Sequence, residues 1–242
     1  MKKNSADVII VYMNDFSYIK RNYKALTEDI NRLSERLGVG APTLVSVTKS
    51  GSDEELLALA GLGALDIGEN RPGEVSRRGE ILRNAGFSPR MHEIGTLQRN
   101  KIKLIADSVY MIHSVDSFRL AKDIDRHAEI HGRVIPILIE INSAREEQKS
   151  GVMPDGAERL LCEILELSNV KVSGLMTMGP ATDNGEELRP YFRNTKKLFD
   201  ELNTRYGFGD SPTLSMGMSD SWQVAVEEGS TLIRVGRRLF IK

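Results

Sequence analysis

One cysteine, one tryptophan and a net charge of −1 in 242 residues exclude several functions before any motif is read. The single thiol, Cys162, cannot form an internal disulfide or a thiolate metal cluster. It lies in an apolar helical pattern, where packing is the expected role rather than nucleophilic chemistry. A charge so near zero gives no general polyanion surface, and no nucleic-acid partner is expected. There is no run of 18 apolar residues, and the start MKKNSADVII has no apolar core followed by a cleavage site. A cytoplasmic chain without membrane attachment is the expectation. Histidine is also scarce. His127 and His131 have an i, i+4 spacing that suits zinc, but no third ligand accompanies them, so they read as a helix surface and no metal site is expected.

What the chain does have is a steady alternation. Apolar, β-branched runs at 43–48, 65–67, 90–94, 108–113, 134–141, 170–176, 212–217 and 231–236 predict eight strands. Helical periodicity predicts segments at 17–37, 53–61, 73–85, 97–106, 117–131, 155–167, 186–206 and 220–228. The run Ile135-Pro136-Ile137-Leu138-Ile139-Glu140-Ile141 is nearly all apolar, as in parallel strands covered on both faces. Eight strands alternating with helices over this length predict an α/β fold, a single (β/α)8 TIM barrel. A doubly wound open sheet is the competing architecture, but no Gly-x-Gly-x-x-Gly follows an early strand. The chain ends six residues after the eighth strand at Gly236, so helix 17–37 is expected to cover the last flank. Residues 1–242 then read as one domain, with 1–16 as an N-terminal segment and no second domain.

Barrel chemistry occurs at the carboxyl ends of the strands. The polar residues there are Lys49 after the first strand, Gly68-Glu69-Asn70 after the second, His92-Glu93 after the third and His113-Ser114 after the fourth. Asn142 follows the fifth. Ser215-Met216-Gly217-Met218-Ser219 and Arg234-Val235-Gly236-Arg237 mark the seventh and eighth. Loops after strands seven and eight commonly hold phosphate. Gly217 and Gly236 would let backbone N–H groups approach one, Ser215 or Ser219 could donate a hydroxyl, and a helix starting at Asp220 with Ser219 as N-cap would face it. Alternation turns Leu232, Arg234 and Gly236 inward on the eighth strand, and Val45, Val47 and Lys49 inward on the first. Two partly buried cations at one mouth call either for an anionic ligand or for pairing with inward carboxylates such as Glu140 or Glu69.

These residues carry a resemblance. Val47-Thr48-Lys49, Gly68-Glu69-Asn70, His92-x-Ile94-Gly95-x-Leu97-Gln98-x-Asn100-Lys101, Ser114-Val115-Asp116, Lys149-Ser150-Gly151, Gly174-Leu175-Met176, Leu214 to Ser219 and Arg234-Val235-Gly236 stand in order along nearly the whole chain. Together they resemble the YggS/PROSC family of pyridoxal-phosphate homeostasis proteins, related to the barrel domain of alanine racemase. The resemblance implies a fold of that barrel type and pyridoxal 5′-phosphate as cofactor, with Lys49 forming its Schiff base. It implies that Ser215 and Gly236 hold the phosphate, with Met216 and Ser219 in the same motif. Arg234 would lie beside the pyridine nitrogen, Asn70 would border the cofactor, and Lys149 would be a secondary contact or transfer point.

Some positions depart from the family pattern. Arg237 stands where a threonine or serine usually touches the phosphate. Arg71-Pro72 replaces a more usual aromatic residue, Ser50-Gly51 follows Lys49, and the tail lacks the usual glycine.

The implied function is to bind pyridoxal phosphate, buffer it and pass it to apo-enzymes, as a monomer with little or no turnover. An arginine beside the ring nitrogen cannot accept a hydrogen bond and leaves the ring a weak electron sink. A racemase-type enzyme is the alternative, and it would need a second base from another domain. A barrel aldolase using Lys49 on a sugar phosphate is a third reading.

Overall fold

Parallel pairing runs around a closed ring in sequence order. The strands are β1 (Thr43–Val47), β2 (Asp66–Glu69), β3 (Arg90–Glu93), β4 (Met111–Val115), β5 (Ile135–Glu140), β6 (Val170–Met176), β7 (Thr213–Ser215) and β8 (Leu232–Val235). β1 closes the ring by pairing with β8, Val45 opposite Arg234. This computed structural model describes residues 16–182 and 184–242. The expected N-terminal segment lies outside the described residues except for Phe16.

Period-two alternation sorts the side chains. Ile67, Met91, Ile112, Ile137, Ile139, Leu175 and Leu214 point outward and share one apolar core with the surrounding helices. Inside the ring, Met111, Leu138 and Met176 form a separate small cluster. Beside that plug the interior also holds buried polar side chains, among them His92, His113, Ser215 and Arg234, which is where function is to be sought.

The helices are α1 (Ser17–Leu37), α2 (Asp53–Gly61), α3 (Pro72–Asn84), α4 (Phe118–Ile130), α5 (Ala157–Leu165), α6 (Arg189–Tyr206) and α7 (Trp222–Glu227). α1 does cover the last flank: Ile19, Leu26, Ile30 and Leu33 pack with Trp222, Val226, Ile233, Val235 and Leu239. It ends on Gly38 in the left-handed region, φ 68°, donating back to the Glu35 and Ser34 carbonyls. α2 opens on a reciprocal cap, in which the Ser52 hydroxyl accepts from Glu55 N–H and the Glu55 carboxylate accepts from Ser52 N–H. The register of β6 against β5 shifts just before Gly174, and at Gly174 the strand lies so close to β7 that a Cβ would stand 1.9 Å from the Thr213 carbonyl oxygen.

Several expected boundaries move. The segment 97–106 forms a 3₁₀ turn over Arg99–Leu104 rather than an α-helix. The last helix starts at Trp222 with Ser221 at its N-cap, not at Asp220 behind Ser219. β2 and β4 run further along the chain than the apolar runs suggest, which draws Gly68, Glu69 and Ser114 into the strands and places His113 mid-strand. Cys162 is exposed, because the buried face of α5 is Ala157, Leu160, Leu161 and Ile164. Its expected packing role is therefore withdrawn.

Candidate functional site

Past the end of β1 the chain makes a tight turn in which Gly51 N–H donates to the Thr48 carbonyl at 2.9 Å. Lys49 occupies the first corner of that turn, at the carboxyl mouth of the barrel. It lines a cavity of about 630 Å³ together with Asn70, Ser219, Arg234, Gly236 and Arg237. Six of the eight expected cofactor contacts therefore face one space. The expectation of a partly buried Lys49 fails, because the side chain is exposed at the rim. A turn, unlike a strand interior, carries its corner residue out into solvent.

The cavity floor is Arg234, 4% exposed, and it ends a chain of hydrogen bonds along the barrel axis. One guanidinium nitrogen donates to the Ser215 hydroxyl and the other to the Thr177 carbonyl at 3.1 Å. Ser215 meets His113 Nδ1 at 3.1 Å, His113 Nε2 meets His92 Nδ1 at 2.9 Å, and His92 Nε2 meets Asp66 at 3.1 Å. Burial opposes ionisation of Asp66, but hydrogen bonds from His92 and Arg90 outweigh it and hold the carboxyl below its ordinary value. Asp66 can then only accept, so His92 carries its hydrogen on Nε2. His92 Nδ1 must accept from His113 Nε2–H, and His113 Nδ1 from the Ser215 hydroxyl. Burial pulls both imidazoles down, His113 strongly, which keeps them neutral as this assignment requires. Every donor points from Arg234 toward Asp66.

Removing the middle of this chain orphans two buried groups, the Ser215 hydroxyl and His92 Nδ1. Each orphan costs about 1–3 kcal/mol, so His113→Ala is expected to lose about 3 kcal/mol of unfolding free energy. Urea denaturation beside wild type measures it.

Three carboxyls surround this core. Glu140 points inward at the end of β5, and burial, with Asp116 nearby, pushes it up to about 7 while Arg234 counteracts. Burial likewise draws Arg234 down to about 10, which leaves it cationic at neutral pH. Glu93 and Glu69 lie on the outward faces of β3 and β2, against the helix layer. Glu69 was expected among the inward carboxylates. It instead receives hydrogen bonds from Thr48 and from Arg78 of α3, since the strand extends to include it and alternation turns Gly68 inward.

Three expected site residues lie apart from the cavity. Ser215 is fully buried beneath Arg234, its hydroxyl engaged between His113 and the guanidinium. The Met216 side chain points outward into the helix-facing core. Lys149 sits in the loop after β5, its Nζ on Glu146 Oε1 at 2.8 Å. Ser219 does line the cavity, and its hydroxyl accepts from Gly236 N–H at 3.4 Å instead of capping a helix. Arg237 forms an ion pair with Asp220 across the rim, both lining the cavity. Tyr110 precedes β4 and borders the opposite, amino-end mouth with Asp66, Arg90 and His92. Sequence reasoning missed the axial chain because it grouped His92 and His113 with the mouth residues, although both fall within the expected strands at 90–94 and 108–113. The available signal was an alternation phase in which both histidines fall on inward positions.

With this geometry in hand, comparison with known proteins is decisive. Residues 22–241 match the family model of the alanine racemase N-terminal domain. A pyridoxal phosphate homeostasis protein of Aquifex aeolicus is 40% identical over 215 residues, spanning 88% of this chain and 93% of that one. The chain belongs to the pyridoxal phosphate homeostasis protein family. PipY of Synechococcus elongatus, solved with PLP bound, superposes with a TM-score of 0.76 at 29% identity, covering 86% of this chain and 100% of that one. Alanine racemase of Clostridium difficile shares the fold at 16% identity and a TM-score of 0.71, covering 93% of this chain and 59% of the racemase. Among the described residues no helix is long and apolar enough to cross a membrane.

Proposed function

We propose that this chain binds pyridoxal 5′-phosphate in the cavity at the carboxyl mouth, holds it through Lys49, and serves to store and release it rather than to turn over a substrate. The carrying observation is that Lys49, Arg234 and Gly236 line one cavity. Its volume of about 630 Å³ falls within the roughly 300–1,000 Å³ of small-molecule sites. The donor set fits the group. Lys49 provides an amine for the aldehyde, Arg234 a fixed cation at the floor, and Gly236 N–H, Ser219 and Arg237 donors for the phosphate. Ser215 contributes by aiming Arg234, not by touching the ligand. When bound, the cofactor supplies an electrophilic carbonyl and an electron-accepting ring.

The racemase reading is not favoured. A ring nitrogen facing Arg234 meets only donors, because the guanidinium stays charged and its hydrogens are already directed by Ser215 and Thr177. We place the protein in the cytoplasm as a monomer, with apo-enzymes that need the cofactor as recipients and Lys149 as a secondary lysine near the same mouth.

The test is an absorbance spectrum with intact mass before and after borohydride treatment of protein mixed with pyridoxal phosphate. A band near the visible–violet boundary, lost on reduction as one cofactor mass becomes fixed, is the expected result. A chain that takes up no cofactor, or captures only a sugar phosphate, overturns it.

A further inference from the structure

A buried arginine with no place in the cavity stands behind the turn that carries Lys49. Arg78 of α3 is 6% exposed. Its Nη1 donates to the Thr48 carbonyl and to Glu69 Oε1, the latter at 2.8 Å, while Nη2 donates to the Gly51 carbonyl at 2.6 Å. Thr48 and Gly51 are the two ends of the turn, and the corner between them is Lys49. The Thr48 hydroxyl donates to the same Glu69 oxygen, and Asp53 and Glu74 lie 3.7 and 3.3 Å from Arg78 Nε. Glu69 in turn precedes Asn70, which lines the cavity. One guanidinium therefore ties together the two loops that bring Lys49 and Asn70 to the site.

Packing alone does not call for this arrangement. Burying a cation and a carboxylate is costly, and apolar side chains of similar volume would fill the space more cheaply. Only a planar fork with fixed donor directions spans two carbonyls three residues apart while also holding a carboxylate; a lysine ammonium is a single point. Lys49 itself is exposed, with no hydrogen bond to its amine among the described residues, so its placement depends on the backbone beneath it.

We infer that Arg78 is a positioning residue. Its fork clamps the Thr48–Gly51 turn and so holds the Lys49 amine over the cavity. This deepens the proposed function and rests on it for the identity of the ligand. Arg78 does not touch the cavity, so its loss acts on the reach of Lys49 and not on the phosphate end.

The experiment separates these effects with two ligands and one ligand-free readout. Pyridoxine 5′-phosphate has no aldehyde and reports the phosphate and ring contacts alone. Pyridoxal phosphate reports amine placement through the rate at which Schiff-base absorbance appears. Trypsin cleavage after Lys49 in apo-protein reports how firmly the turn is held. In Arg78→Lys, pyridoxine 5′-phosphate affinity is expected to stay within about twofold, while Schiff-base formation slows about tenfold or more through misplacement of the amine. Cleavage after Lys49 accelerates. Schiff-base formation at the wild-type rate overturns the inference, as does a parallel loss of affinity for both ligands. Should Arg78→Lys lose its cooperative unfolding transition, the double variant Arg78→Met with Glu69→Gln carries the test. It removes both buried charges together and with them the fork on the Thr48 and Gly51 carbonyls. A Schiff-base rate slowed about tenfold supports the clamp, whereas an unchanged rate overturns it. If wild type forms no Schiff base, the proposed function fails, and the trypsin comparison alone decides whether Arg78 holds the turn.

Discussion

Lys49→Ala is expected to abolish the Schiff-base absorbance and leave the intact mass unchanged after borohydride. Two lysines compete for the role of carrier, and geometry separates them. Lys49 lines the cavity with Arg234 and Gly236, whereas Lys149 does not line it and has its amine on Glu146. The variant removes the amine without disturbing the donors at Gly236, Ser219 and Arg237. Noncovalent cofactor should therefore remain, weakened by about tenfold or more, equivalent to at least 1.4 kcal/mol. Equilibrium dialysis measures that residue of affinity. A fixed mass adduct in the variant, at the stoichiometry of wild type, would transfer the role to another lysine.

The stability of Glu93→Gln should diverge from wild type as pH rises, by roughly 4–5 kcal/mol at pH 8 and above. Burial, reinforced by Glu69, pushes the Glu93 carboxyl up to about 8 from an ordinary value of 4.5, against the opposing bond from Gly95 N–H. The native state thus keeps its proton over a range in which the unfolded chain has lost it. Below pH 4.5 both states are protonated and the group contributes no slope. Between pH 4.5 and 8 the unfolded state binds fewer protons, so wild-type stability falls, and above pH 8 the full cost is present. Glutamine keeps the acceptor for Gly95 N–H and is neutral throughout, which removes this slope. The lowered values of His92 and His113 act in the other direction, weakening the fold as pH drops below 6.5. They are common to both proteins and cancel in the difference. Denaturant titrations at pH 5, 7 and 9 check it, and parallel curves would show Glu93 to be ionised in the native state.

The fold was legible because two periodicities alternate along the chain without interruption. Helices α1 and α2 were predicted at 17–37 and 53–61, where they are found, since each has a clear apolar stripe or a reciprocal cap. The mouth residues were legible through Arg234 and Gly236, inward by alternation along β8, and through Lys49, which borders the cavity from the turn after β1 and not from an inward strand position. What escaped was phase on short strands. β2 has four residues, and starting it one residue early and ending it two early hid the outward turn of Glu69 and its bond to Arg78. On β4 the expected run 108–113 did contain His113, but as its final residue at the mouth rather than mid-strand, so its bonds to Ser215 and His92 were not anticipated. Arg78 itself carries no local signal, because a charged residue on an amphipathic helix ordinarily faces water; only the tertiary position of the Thr48–Gly51 turn gives it acceptors. Met216 and Ser215 were grouped by adjacency, although consecutive strand residues face opposite ways.

The uniform direction of the hydrogens between Arg234 and Asp66 has a consequence for proton traffic. Moving a proton along such a row requires that the first donor give up one of its own and that every member then flip orientation. A guanidinium at the head of the row resists the first step, and packed rings resist the second. The middle of this barrel is in effect an insulator: whatever acid–base exchange takes place at the upper opening must draw on solvent at the rim, with no supply from below.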